Sequence, residues 1–185
     1  MIKNKLFIAA VMMAALYGQA EASNLVADGA WNAFDVDSAL STSGTLEWID
    51  LDSNALSFDF TLTGSAYLKV VDGGFAGDRF NVFDNGTLLD QTSVAVNTYP
   101  TSVGLDFDAA YADANFSRGV FLLGAGSHSI TGLLSQSALD DSSTAINATV
   151  GAVSLTAVPL PAAAWLYLTG TALMGFVSRR RKTTI

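Results

Sequence analysis

The chain has 185 residues, half of them apolar, a formal charge of −8 and no cysteine. This composition excludes an intrinsically disordered chain and a disulfide-stapled mini-protein, and the missing thiols exclude cysteine catalysis and thiolate metal sites. Residues 1–22 carry +1, residues 23–157 carry −13 from sixteen acids against Lys69, Arg79 and Arg118, and residues 158–185 carry +4. A domain this acidic repels nucleic acid and anionic membrane surfaces, so neither is an expected partner.

At the N-terminus, Lys3 and Lys5 precede eleven apolar residues (6–16), and Ala20 and Ala22 flank Glu21. A short positive region, an apolar stretch and small residues at alternate positions predict a secretory signal peptide over residues 1–22, cut after Ala22 by signal peptidase. The apolar stretch falls well short of the ~20 residues that a spanning helix needs.

Residues 23–157 read as one acidic all-β domain of roughly 135 residues, a size at which a single core buries about two-thirds of the unfolded surface. Leu56, Phe58, Phe60 and Leu62 alternate with Ser57, Asp59 and Thr61, the period of a half-buried strand. Further strands are expected at 45–51, 66–71, 79–83, 87–92, 118–123, 127–134 and 145–157, between clusters of Gly, Asp, Asn and Ser. Asn85-Gly86 predicts a two-residue type I′ hairpin, and Gly124-Ala125-Gly126 a second, looser one. About eight strands and no long amphipathic helix predict a single antiparallel β-sandwich or jelly-roll-like domain. The exception is 94–117, too long for a hairpin loop. It holds a candidate short helix near 108–114, capped by Asp106 or Asp108, and is the first place to expect a ligand surface.

Fifteen of the sixteen domain acids are Asp, a residue suited to turns because its short side chain bonds the nearby backbone. Residues 50–61 resemble an EF-hand loop only at Asp50, Asp52 and Asn54. Ala55 stands where glycine is needed and Thr61 where the bidentate glutamate belongs, so that motif fails. A calcium site assembled from separate loops would draw on Asp72, Asp78, Asp106 and Asp108; no other cofactor is expected. His128 is the sole histidine, shares a strand face with Ile130 and lacks an accompanying nucleophile motif, so it reads as a packed residue. Two carboxylates suffice for glycoside hydrolysis, but no pair is marked for it and no catalytic residue is assigned. Trp31 and Trp48 are expected in the core, whereas Tyr99 and Tyr111, in the long loop, could stack on sugar rings.

At the C-terminus, Val158-Pro159-Leu160-Pro161-Ala162 leads into a charge-free stretch with a predicted transmembrane helix over 162–177. Arg179, Arg180, Arg181 and Lys182 follow almost at once. Cations after an apolar span stay cytoplasmic, which puts residues 23–157 on the other side of that membrane. This order of motif, helix and basic end resembles the VPLPA variant of the PEP-CTERM sorting signal of Gram-negative bacteria, over about residues 157–182. The resemblance implies an exosortase-type membrane protease as a processing partner. The segments 31–52, 68–86 and 124–130 resemble the ectodomain often found ahead of such tails, which implies a β-sandwich and supplies no catalytic residue.

The expectation is a non-enzymatic exported protein. It would be tethered to the inner membrane by its tail, then act at the cell surface or in the extracellular polysaccharide matrix. A carbohydrate- or calcium-binding module is the first alternative and an extracellular hydrolase the second.

Overall fold

The computed structural model describes residues 21–159 as an all-β fold. The elements in order are β1 (Glu21–Asn24), β2 (Asp28–Asp37), β3 (Leu56–Leu62), β4 (Ala66–Asp72), β5 (Gly74–Phe75), β6 (Arg79–Asp84), β7 (Thr87–Gln91) and β8 (Ser102–Gly104). They continue with α1 (Phe107–Ala112), β9 (Arg118–Leu123), β10 (Gly126–Gln136) and β11 (Ala148–Ala157). A five-stranded sheet runs β1-β3-β10-β6-β7, a four-stranded sheet β2-β11-β4-β9, and β5 pairs with β8.

One apolar core lies between the two larger sheets. Phe34, Leu68, Val70, Val153 and Leu155 of the four-stranded sheet face Phe58, Phe80, Val82 and Ile130 of the other. Full burial of each such side chain contributes about 1.5–3 kcal/mol. Trp48 fills the centre, fully buried and stacked on Phe34 with ring centroids 4.0 Å apart. Two glycines make room for this pair. A Cβ on Gly132 would stand 2.1 Å from Trp48, and one on Gly151 would stand 2.3 Å from Phe34.

The expected strands at 56–62, 66–71, 79–83, 87–92, 118–123 and 127–134 form, as does the last one, beginning at Ala148. Asn85 (φ 49°) and Gly86 (φ 76°) turn β6 into β7 as a two-residue loop with both central residues left-handed. Three expectations need correction. Residues 45–51 make only isolated bridges, Glu47 to Leu133 and Ile49 to Asp35 and Ala55, because Trp48 turns its ring into the core between them. Gly124 and Ala125 do not close a hairpin: they carry the chain from β9 at the edge of one sheet to β10 at the centre of the other. Finally, the pairing is not wholly antiparallel, since β1 runs parallel to β3, with Ser23 opposite Phe58.

The expected cleavage point falls inside β1, so processing after Ala22 would leave Ser23 and Asn24 paired with Phe58 and Asp59. At the last described residues, the Val158 amide donates to the Ser65 carbonyl at 2.9 Å and Pro159 is exposed. The remainder of the expected signal peptide, including Ala20, lies outside the described residues. So do Leu160, Pro161, Ala162, the helix over 162–177 and Arg179, Arg180, Arg181 and Lys182. Among the described residues no helix is long and apolar enough to cross a membrane.

Candidate functional site

The outer face of the four-stranded sheet is set by register. Trp31 on β2, Ser154 on β11, Lys69 on β4 and Val120 on β9 lie opposite one another and so share one face. The next row on that face, Tyr67 and Leu122, follows two residues along. Part of this face is covered. Phe107 and Ala110 of α1, with Phe116, bury Val71 and Ala152 in a second apolar cluster, against which Trp31 and Tyr111 are half-buried. Asp106 caps the helix, its carboxylate accepting from the Ala109 amide at 3.0 Å. Arg118 closes the other end, donating to the carbonyls of Tyr111 (2.7 Å) and Asp113 (3.3 Å), where a cation suits the helix C-terminus.

Where α1 stops, the face is open. Tyr67, Val120 and Leu122 are 43%, 53% and 64% exposed, and Lys69 stands among them. The Lys69 ammonium lies 5.2 Å from the Tyr111 ring centroid, the Arg118 guanidinium 5.8 Å from it, and the Trp31 ring 5.6 Å. The indole N–H of Trp31 donates to Asp108 Oδ1 at 2.8 Å. Two of the three cations of an acidic domain thus converge on one aromatic ring. The third, Arg79, donates to the carbonyls of Thr92 and Ser93. Among the described residues neither lysine nor arginine pairs with a carboxylate; Asp84 is instead in hydrogen-bond contact with His128.

Tyr111 therefore belongs to this surface, whereas Tyr99 packs on Phe75 with centroids 4.9 Å apart. Trp48 lies in the core as expected, but Trp31 does not: its indole is half-exposed on the outer face. The alternation Tyr67, Lys69, Val71 in residues 66–71 placed these three side chains on one face and was the available signal for the open surface.

The four calcium candidates separate into two groups. Asp106 and Asp108 are engaged at α1, as its cap and as the acceptor for Trp31. Asp72 and Asp78 are brought together and buried, 0% and 2% exposed. The Asp78 amide donates to Asp72 Oδ2 at 3.2 Å, and Asp78 Oδ1 accepts from the Ala138 amide at 2.8 Å. Burial and the neighbouring Asp78 charge push the Asp72 carboxyl up to about 9; burial pushes Asp78 up to about 6 against the Ala138, Thr149 and Ser137 hydrogen bonds. Among the described residues no three acidic or histidine side chains gather as a metal cluster.

Most other aspartates tie their own turns: Asp37 accepts from the Ala39 amide, Asp50 from those of Asp52 and Asn54, and Asp140 from those of Ser142 and Thr144. An open groove of about 590 Å³ passes Asn24, Asn32 and these turn residues Asp50 and Asp52. Glu47 is held in a cradle of hydroxyls from Ser41, Ser43 and Thr45. Burial raises its carboxyl, but the Ser41 and Ser43 hydrogen bonds outweigh that and lower it. His128 stacks on Phe60, with Nδ1 2.8 Å from Asp84 Oδ2. Its Nε2, the atom a general base would present to a nucleophile, faces the Gly124 carbonyl at 3.1 Å. No family model matches the chain, and no curated protein matches it.

Proposed function

We propose that this is an exported, non-catalytic β-sandwich protein of the cell surface or extracellular matrix, which engages extracellular polysaccharide through the outer face of the four-stranded sheet. The observation that carries the binding part is the open row of Tyr67, Val120 and Leu122 around Lys69, beside a Tyr111 ring flanked by Arg118. Aromatic and aliphatic surface suits the apolar face of a sugar ring, and cations in an otherwise acidic domain suit sugar carboxylates. Export and tail processing rest on the Lys3 to Ala22 leader and on the Val158-to-Lys182 tail. Co-sedimentation of the mature domain with alginate and with dextran tests the face. Retention by alginate is expected, with at least a tenfold loss in the double variant Tyr67→Ala, Lys69→Gln. Equal retention of variant and parent would remove this face from the proposal.

A further inference from the structure

The enclosure at the end of β4 is built by glycines. Gly73 has no room for a side chain, since a Cβ there would stand 2.9 Å from the Phe107 ring and 3.1 Å from the Val150 carbonyl. Gly74 (φ 62°) and Gly77 (φ 140°) then fold residues 73–77 back so that the Asp78 amide reaches Asp72. Gly77 is pressed against Asn97 and Ala138, where a Cβ would come within 2.8–2.9 Å. Asn97 locks the far side, exchanging hydrogen bonds with the Leu139 backbone at 2.9 and 3.0 Å. Three loops therefore close over two carboxyl groups.

Within this enclosure Asp78 has the hydroxyls of Ser137 and Thr149 beside it. Asp72 Oδ1, fully buried, makes no hydrogen bond of ordinary geometry, although the backbone N–H groups of Gly73 and Gly77 lie beside the carboxyl and offset part of its burial. Leaving such an oxygen unsatisfied is costly, and leaving it charged is costlier still. We propose that the enclosure is a calcium site, in which Asp72 Oδ1, the Asp78 carboxylate and the hydroxyls of Ser137 and Thr149 hold the ion. Two carboxylates neutralise a divalent cation, and oxygens from separate loops match the irregular coordination calcium accepts. Magnesium fits less well, because it keeps several waters and two fully buried aspartates leave little space for them. The site is separate from the polysaccharide face, on the other side of the same sheet.

The test uses the mature chain, stripped with chelator and then titrated with calcium or magnesium chloride at pH 7.5. Extracellular calcium sites bind at roughly 0.1–1 mM, so ~10 mM calcium is expected to raise the Tm by about 5 °C, with little effect from magnesium. Equilibrium dialysis should find a single calcium bound. Asp72→Asn, which keeps the shape and removes the charge, is expected to stay folded by circular dichroism and to lose both signals; Asp106→Asn is expected to keep both. If Asp78→Asn does not fold, Asp72→Asn and dialysis of the parent decide. Two results would overturn the site. One is an unresponsive parent protein, which would mean an acid pair that holds a proton and no cation. The other is a calcium response that survives in Asp72→Asn.

Discussion

The two faces of the four-stranded sheet use the same strands and reach opposite solutions. On the inner side, the packing is closed by rings over glycines, and the polar groups pay for that closure: Asp72 Oδ1 and the Trp48 indole N–H are both buried without partners. On the outer side, the sheet is covered only in part, and three of its polar side chains are satisfied by neighbours. Trp31 donates to Asp108, Ser154 donates to the Gly29 carbonyl at 2.9 Å, and Arg118 caps α1. The interior sets the stability and tolerates almost no change of shape, whereas the outer face is adaptable and available for contact.

The largest effect should come from filling an inner glycine. In Gly151→Ala the new methyl would stand 2.3 Å from the Phe34 ring and 2.8 Å from the Val71 carbonyl, and the backbone oxygen cannot swing away. Phe34 in turn is stacked on Trp48, so the displacement spreads through the core. A loss of about 3 kcal/mol or more is expected from such overpacking, read as a lower urea midpoint at unchanged m-value. A loss below ~1 kcal/mol would mean that the interior yields as readily as the outer face.

The next effect concerns charge on the inner side. Both Asp72 and Asp78 have folded values above the unfolded 3.8, so the fold favours their protonated forms. Their contribution is fully present below about pH 4 and is lost as pH rises, through about 6 for Asp78 and about 9 for Asp72. In calcium-free buffer the Asp72 part should appear between pH 6 and 9 as a loss of up to ~1.4 kcal/mol per pH unit. Asp72→Asn should abolish that slope and be the more stable protein at pH 8. Denaturant titrations at several pH values check this, and a flat profile for the parent would show that the pair is better solvated than its burial implies.

Much of the inner side was legible in the sequence, because burial on one face imposes a period of two that Leu56 to Leu62 displays without interruption. Asp72 and Asp78 were legible as candidates and Asp106 or Asp108 as a helix cap, but only the fold shows that Asp72 and Asp78 are buried side by side, because the pairing depends on how residues 73–77 turn back. β2 was missed even though Phe34 and Val36 alternate with Asp35 and Asp37. Its first half is largely exposed, so the pattern holds over only a few residues. The crossing at Gly124-Ala125 was misread because a short glycine-rich link serves a hairpin and a passage between sheets equally well. Trp31 was misplaced for a related reason: bulk predicts burial, but not on which side of a sheet, and α1 gives the outer side enough cover to hold an indole.

The smallest effect tests whether that cover is a local structure. Asp106 is the cap of a six-residue helix too short to persist alone, and its carboxylate satisfies the Ala109 amide. Asp106→Ala should cost about 1 kcal/mol, and Asp106→Asn, which retains a capping oxygen, only a few tenths. Because α1 touches β4 through Val71 without entering the main core, the loss should be local. Amide exchange in residues 107–112 should accelerate roughly fivefold in Asp106→Ala, as expected for about 1 kcal/mol, while the amides of β4 and β11 exchange as in the parent. Faster exchange along β4 as well would mean that helix and sheet open together. The outer face would then share the cooperativity of the interior, and Trp31, Tyr111 and Lys69 would lose their standing as a surface that can adjust to a ligand without loosening the fold.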